Sequence, residues 1–402
     1  MTAAPPSLHV IGIGADGWPG LAEATRDRIR AAAVILGGAR HLDLLPDDVT
    51  GRRVPWPSPL RAGLPDLLAG IPLGPVVALA SGDPLVSGIG TTLLDLLPEG
   101  AVTIEPAVSS VALARAEMGW PAESCAVVSV VGRDVALVAR ELAPGRRILA
   151  LSSDEHTPRA VAELLTAQGY GESMLTVLGD LGSPAARRTE VRASDCRGTF
   201  SRLNIVAIES VGTSVGASWT AGLPDSAFEH DGQLTKRDLR ASALARLAPA
   251  PGEHLWDVGA GAGSVGIEWM RAHPTCTATA VESDPDRAAR IGRNARTLGV
   301  PGLGVVEGRA PDALDGLRRP HAIFVGGGAT RDGVIEACLA ALRPGGRLVV
   351  HGVTLETEQL LASLHREHGG ELTRISIEQV DAIGTFRGWA PLRTVTQWAL
   401  TR

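Results

Sequence analysis

Short apolar runs alternate with stretches of helical periodicity along nearly the whole chain, and a sequence with that rhythm has few ways to fold. LHVIGIG reads as a strand and LAEATRDRIRAA as a helix; the runs AAVILGG and PVVALASGDP and the helical TTLLDLLP follow. ILALSS and LNIVAIE are again short β-rich runs. Such alternation signals parallel α/β architecture. The rhythm breaks after Glu209, in SVGTSVGASWTAGLPDSAFEHDG, which is rich in Ser, Gly and small residues and has no helical period. It resumes with helix TKRDLRASALARL, strand HLWDVG, helix SVGIEWMRA, strand TATAVES and helix DRAARIGRNARTLG. LGVVEG, HAIFVGG, RDGVIEACLAAL, GRLVVHGV and LETEQLLASLHREHG continue it. ELTRISIEQV and RTVTQWALT read as two closing strands, antiparallel neighbours at a sheet edge. A chain of 402 residues suits two or three domains. The break divides it into residues 1–211, a linker at 212–228, and residues 229–402.

Composition excludes several classes of partner. The net charge of -6 argues against nucleic acid, which asks for a basic face, and one tyrosine with four phenylalanines leaves few rings for base stacking. Lys236 is the only lysine, so nearly all positive charge is arginine. Cys125, Cys196, Cys276 and Cys338 show no C-x-x-C spacing, which argues against a zinc site or a disulfide framework and suits a reducing compartment. MTAAPPSLHVIG lacks a basic region ahead of a long apolar one, and no apolar run approaches a membrane span. The expectation is a cytoplasmic protein without a membrane or nucleic-acid partner.

Two glycine turns follow strands. A turn of this kind lets backbone approach a ligand, with the next helix N-terminus facing it. G-x-G-x-x-G matches at Gly12, Gly14 and Gly17 and again at Gly261, Gly263 and Gly266. A dinucleotide fold also needs an acidic residue about twenty residues on, at the next strand's end. AAVILGG ends in Gly37 and Gly38 with no carboxylate, so a nicotinamide reading of the first turn fails. TATAVES carries Glu282 at its end, so the second turn suits a ribose-bearing cofactor, NAD or S-adenosylmethionine. Asp257 precedes Gly259, giving D-x-G-x-G-x-G, which resembles the first motif of class I methyltransferases, and in that resemblance EGRAPDAL would put Arg309 and Ala310 at the adenine's edge. Together these favour S-adenosylmethionine.

The residues DGQLTKRDLR, LWDVGAGAGSVGIEW, AVESDPDR, EGRAPDAL, HAIFVGGG and LRPGGRLVVHGVTLET resemble the decarboxylating domain of cobalamin-pathway precorrin methyltransferases, in order and spacing along nearly all of 228–400. VIGIGADG, ILGGARHLDLLP, ALASGDPLVSGIGTTL, TIEPAVSSVALARAEMGWP, VVSVVGRD, LSSDEHTPRAVAELL and FSRLNIVAIE resemble a class III tetrapyrrole methylase over 8–210, with Ala15 where many members carry proline. The resemblance implies an N-terminal methylase of two α/β lobes followed by a class I Rossmann-like domain. It implies S-adenosylmethionine-dependent methylation of a cobalt-free precorrin at C5 by the first domain. It also implies methylation at C15, with loss of carbon dioxide from the C12 acetate, by the second. Tetrapyrrole methylases commonly assemble, so a homo-oligomer is implied as well.

Carried over residue by residue, the resemblance puts Thr235, Gly259, Ala260, Gly261, Ala262, Gly263, Glu282 and Ala310 on the cofactor of the second domain. In the first it points to Ala15, Ser81, Gly82, Asp83, Ser109 and Ser110. Thr235 with Asp238 three residues on also reads as a helix N-cap. The substrate's carboxylates suit guanidinium forks. Lys236, Arg237, Arg331 and His351 lie near expected cofactor-side strand ends, and Glu356 could orient a substrate group or cap the next helix. A sulfonium methyl is already activated and a reduced tetrapyrrole offers enamine-like carbons, so alignment and exclusion of water matter more than a strong protein base. No Ser-His-Asp or metal constellation is legible, and the acid for decarboxylation is not identified. Two other classes stay open on residues alone: a methyltransferase acting on RNA or another substrate, since this fold serves many, and a non-catalytic tetrapyrrole binder. FVGGG where amino-methylating enzymes carry N/D-P-P-aromatic argues against the first; intact Asp257, Glu282 and the GDP loop argue against the second.

Overall fold

The computed structural model describes residues 8–71, 74–212 and 217–402. The chain forms two compact units. One gathers residues up to Val135 with Gly145–Val211; the other gathers Ala136–Pro144 with Gly212–Arg402.

The first unit holds two five-stranded sheets. Strands β1 (Leu8–Ile13), β2 (Val34–Gly37), β3 (Arg52–Pro55), β4 (Val76–Ser81) and β5 (Val102–Glu105) form a parallel sheet in the order β3-β2-β4-β1-β5. Ile11, Ile13, Ile35 and Leu79 pack on one face and Val10, Leu36, Ala78 and Ala80 on the other, so both faces are dry. Burial on both faces is why these strands read as continuous apolar runs rather than alternating ones. The second sheet comprises β6 (Cys125–Ser129), β7 (Arg147–Leu151), β8 (Met174–Gly179), β9 (Arg187–Arg192) and β10 (Asn204–Glu209), in the order β6-β7-β10-β8-β9. Here the parallel rhythm ends: β10 runs antiparallel to both β7 and β8, and β9 antiparallel to β8. β9, RRTEVR, is almost wholly exposed, and such charge blunts an open sheet edge.

The second unit is a seven-stranded sheet of β11 (His254–Val258), β12 (Thr277–Glu282), β13 (Gly304–Glu307), β14 (Ala322–Val325), β15 (Arg347–Gly352), β16 (Glu371–Ile375) and the C-terminal strand Val395–Thr401. Numbering the intervening ribbon β17 (Glu378–Ile383) and β18 (Phe386–Pro391) makes that last strand β19, and the sheet order is β13-β12-β11-β14-β15-β19-β16. The first five of these in space are parallel, while β19 is antiparallel to both of its neighbours. Along β11, Leu255 faces one core and Trp256 and Val258 the other. Two α/β lobes followed by a Rossmann-like unit match the expected architecture.

Three local expectations are corrected. ELTRISIEQV is two strands, β16 and β17, and β17 pairs with β18 in a separate ribbon. The edge pairing of β16 with β19 is as expected. The stretch 212–228 is not a free linker over its second half: Leu223 and Phe228 are buried in the second unit's core. Its residues 213–216 lie outside the described residues, as do residues 1–7. Thr235 is not the helix N-cap. The helix Arg237–Leu247 is capped at Lys236 with no side-chain bond of its own, and Oδ1 of Asp225 instead accepts from the Arg237 amide at 3.0 Å.

Candidate functional site

In the second unit the strand order reverses between β11 and β14, and the crevice beyond their carboxyl ends is where a doubly wound sheet admits a ligand. The glycine turn sits there. Gly259, Gly261 and Gly263 all have positive φ. A Cβ on Gly259 would lie 2.7 Å from the Gly327 carbonyl, and one on Gly261 2.7 Å from the Gln233 carbonyl. The second contact lays the Gln233 backbone, within DGQLTK, against the turn. The helix Ser264–Ala272 then starts directly after Gly263.

Two carboxylates organise this turn. Glu282, buried at the end of β12, accepts from the Gly261 amide on Oε2 at 2.8 Å and from the Ser283 and Asp284 amides on Oε1 at 2.9 and 3.0 Å. Each oxygen keeps lone-pair capacity for a hydroxyl. Asp257 is 1% exposed; Oδ2 accepts from the Gly266 amide at 2.9 Å, and Oδ1 has no partner. Burial, with the nearby Glu282 charge adding to it, pushes the Asp257 carboxyl up to about 7 against the pull of the Gly266 bond. A positively charged ligand beside a partly protonated, unpartnered carboxyl and a second buried carboxylate would be electrostatically favoured.

A clamp the sequence reading missed holds the overlying segment. Arg240, wholly buried, donates to Glu268 from Nε at 2.6 Å and to the carbonyls of Leu223 and Thr235. Glu268 also accepts from the Gly222 and Leu223 amides at 2.6 and 3.0 Å. Asn294 links Glu229 to the glycine turn, donating to the carbonyls of Glu229 and Ala262 at 2.9 Å each. Arg287 pairs with Asp231 at 2.8 Å and holds its carboxyl well below the usual range. These partners are far apart in sequence, so no local pattern marks them.

The remaining expected residues are placed as follows. Ala260 and Ala262 lie in the turn, Ala262 buried; Ala310 is half-buried and packs on the core beside β14. Lys236 pairs with Asp225 at 3.5 Å, while Arg237 and Arg331 are exposed. His351 is buried near the end of β15, its ring 5.0 Å from Phe324 in an edge-on contact and its Nε2 2.8 Å from the Gln397 amide. With the Gln397 nitrogen turned to His351, the amide oxygen accepts from Arg246, so Nε2 is an acceptor. Burial holds this ring down at about 4. Glu356 is exposed in the first turn of the helix Leu355–His368, which Thr354 caps.

In the first unit a cavity of about 410 Å³ opens beyond the carboxyl ends of β1 and β4. Ala15, Ser81, Gly82 and Ser110 line it. Asp83 and Ser109 lie in the adjoining loops: Asp83 accepts from the Leu85 amide at 2.9 Å, and Ser109 caps the helix Ser110–Met118 by accepting from Ala112 at 3.1 Å. Gly82 has φ +52, and a Cβ there would lie 2.9 Å from the Val108 carbonyl. Arg40, His41, Asp180, Arg202 and Asn204 also line the cavity and were not anticipated. Among the described residues no cluster of His, Cys, Asp and Glu is arranged to hold a metal ion, and no helix is long and apolar enough to cross a membrane.

The chain is similar to known proteins over its whole length. The family profile of tetrapyrrole (corrin/porphyrin) methylases matches residues 7–195, and that of the precorrin methyltransferase domain matches 226–402. A precorrin-6Y C(5,15)-methyltransferase [decarboxylating] from a Sinorhizobium species is 48% identical over 401 residues, 99% of this chain and 97% of that protein. Its namesake from Mycobacterium tuberculosis H37Rv is 45% identical over 400 residues, 98% of this chain and 100% of that one. The crystallised C-terminal domain of the Rhodobacter capsulatus precorrin-6Y C5,15-methyltransferase is 45% identical, covering 46% of this chain and all of that one, with a TM-score of 0.44.

Proposed function

The chain belongs to the family of precorrin-6Y C5,15-methyltransferases (decarboxylating), and from that premise we propose how its two units divide the work. It is a C-methyltransferase of cobalamin biosynthesis that methylates a precorrin and removes carbon dioxide from it. In our reading both units use S-adenosylmethionine, which supplies an electrophilic methyl group. The unit bearing β1–β10 methylates C5. The unit bearing β11–β19 methylates C15 and decarboxylates the C12 acetate.

The observation that carries this reading is the glycine turn at the switch point, with Glu282 and Asp257 beneath it and Gln233 across it. Glu282 would take ribose hydroxyls, Gly259–Gly263 backbone would let the adenosyl group approach, and Thr235 and Ala310 would flank it. In the first unit Ala15, Ser81, Gly82 and Ser110 line a cavity suited to the same cofactor, while Asp83 and Ser109 shape its loops. Each site mainly orients a carbon nucleophile and excludes water. Arg237 and Arg331, exposed beside the second site, would meet substrate carboxylates. A cytoplasmic location suits the four unpaired cysteines. Self-assembly suits the ribbon β17–β18, whose Val380, Ile383, Phe386 and Trp389 are exposed and which is marginal alone in water; light scattering of the intact chain tests that part.

The central test uses Gly82→Ala in the full chain, with the precorrin substrate, labelled S-adenosylmethionine and mass analysis of the product. Loss of the C5 methyl with C15 methylation and carbon dioxide release retained is expected. Loss of decarboxylation in that variant would move this step to the first unit.

A further inference from the structure

The cavity of the first unit brings together three side chains that the family reading does not use as a group. Arg40 and His41 lie in the short helix Ala39–Asp43, on the turn after β2, and Ser81 ends β4. Nη2 of Arg40 donates to Oγ of Ser81 at 3.0 Å and lies 2.8 Å from Nε2 of His41; Oγ of Ser81 is 2.9 Å from the same ring nitrogen. A guanidinium can only donate. Nε2 is therefore the bare nitrogen, its one lone pair shared by the two contacts, and the ring proton sits on Nδ1, a buried atom with no hydrogen-bond partner of its own. With Arg40 donating to its oxygen, the Ser81 hydroxyl is oriented to send its own proton to Nε2. All three side chains line the cavity.

Replacing hydrogen by methyl at a bridging sp² carbon creates a need for such a pair. The π-system is the nucleophile, so no base is required before the new bond forms. Afterwards the carbon carries both hydrogen and methyl, and the ring system carries a positive charge. Product appears only when the C–H electron pair returns to the ring and the proton leaves. A positioned acceptor is worth a large factor at that step.

We propose that Ser81 and His41 accept the C5 proton, with Arg40 as the positioning residue that sets the ring tautomer and the hydroxyl's direction. The proposal rests on the reading that this unit methylates C5. The C5 proton passes to Oγ of Ser81 as the hydroxyl's own proton moves to Nε2, leaving an imidazolium that later discharges to water. One C–C bond forms as the methyl C–S bond breaks, one C–H bond breaks, and one proton is released, so atoms and charge balance. Burial first, and the Arg40 charge second, hold His41 down at about 4, so the ring is neutral and able to accept at neutral pH. The proton of a cationic adduct is acidic, so a weak base suffices.

The experiment uses the full chain, S-adenosylmethionine and a precorrin substrate carrying deuterium at C5. Wild type should release that deuterium to solvent with each C5 methyl formed, with little isotope effect. His41→Gln should slow C5 product formation on the order of 10²-fold and unmask a primary isotope effect, while calorimetric cofactor affinity changes little. Slowing without an isotope effect would reduce His41 to a structural role and overturn the proposal. Should His41→Gln lose cofactor binding, Ser81→Ala must show the isotope effect by itself, or the proposal falls. Wild type that forms product but retains the deuterium would mean instead that the C5 reading is wrong. Nitrogen NMR of His41, assigned by its loss in the variant, should show Nε2 unprotonated at neutral pH; a protonated Nε2 would also overturn the proposal.

Discussion

Asp257 couples the glycine turn to the stability of the second unit. Its carboxyl is raised to about 7 in the fold, from an ordinary value of 3.8. Between those values the unfolded chain ionises at this position while the folded chain keeps its proton. Stability should therefore fall as pH rises through that window, by at most about 1.4 kcal/mol per pH unit, and level off above it. Asp257→Asn keeps an acceptor for the Gly266 amide and cannot ionise, so denaturant melts from pH 4 to 7 should lose that slope. An unchanged slope would mean that Asp257 is ionised in the fold. Gly261 offers a second test at this scale. Alanine there meets φ +58 and the Gln233 carbonyl together. Gly261→Ala should cost on the order of 1–3 kcal/mol and weaken cofactor binding at the second unit alone; unchanged melting and affinity would show the 233–235 backbone yielding freely. Asp257, the three glycines and Glu282 were legible in the sequence because their spacing is local to two βα turns. Ser81 was legible as a loop residue, but its meeting with His41 was not, since parallel β2 and β4 bring the two together across forty residues of chain.

At the scale of elements, the stretch from Gly222 to Lys236 is held by charge buried out of water. Glu268 accepts two amides from this stretch and pairs with Arg240, which in turn binds two of its carbonyls. Removing one partner strands the other in the core. Glu268→Gln should destabilise the second unit by about 3–5 kcal/mol, speed hydrogen exchange at the Gly222 and Leu223 amides, and raise the cofactor Kd. Replacing both partners by Met and Leu should recover much of the stability, while the exchange rates stay high. If Glu268→Gln leaves exchange at Gly222 unchanged, the pair does not hold the segment. The sequence marked the part of this stretch up to Phe228 as linker because it has no period and is rich in small residues. Its fixing comes instead from a helix forty-five residues further along, a distance at which no pattern speaks. The strands buried on both faces were legible as apolar runs, whereas β9 and the ribbon β17–β18 were not, because exposed strands carry no core pattern.

For the whole molecule the decisive quantity is the number of cofactor sites per chain. Two sheets of different topology each end in a glycine-bearing loop at the carboxyl ends of parallel strands, one served by Glu282 and the other by the GDP loop. If both are cofactor sites, titration of the intact chain with S-adenosylhomocysteine should give two equivalents. Glu282→Ala should reduce that to one, and Gly82→Ala should remove the other. Because the loops belong to different units, the two losses should be additive, and the double variant should bind none while each remaining site keeps its own affinity. A single equivalent in wild type, lost on changing Glu282 but not Gly82, would leave the first unit as a substrate-holding domain and return both methylations to the second. Two equivalents, with one lost to each variant, would require the C5 and C15 steps to draw on separate cofactors, so that a chain impaired at one site still turns over at the other.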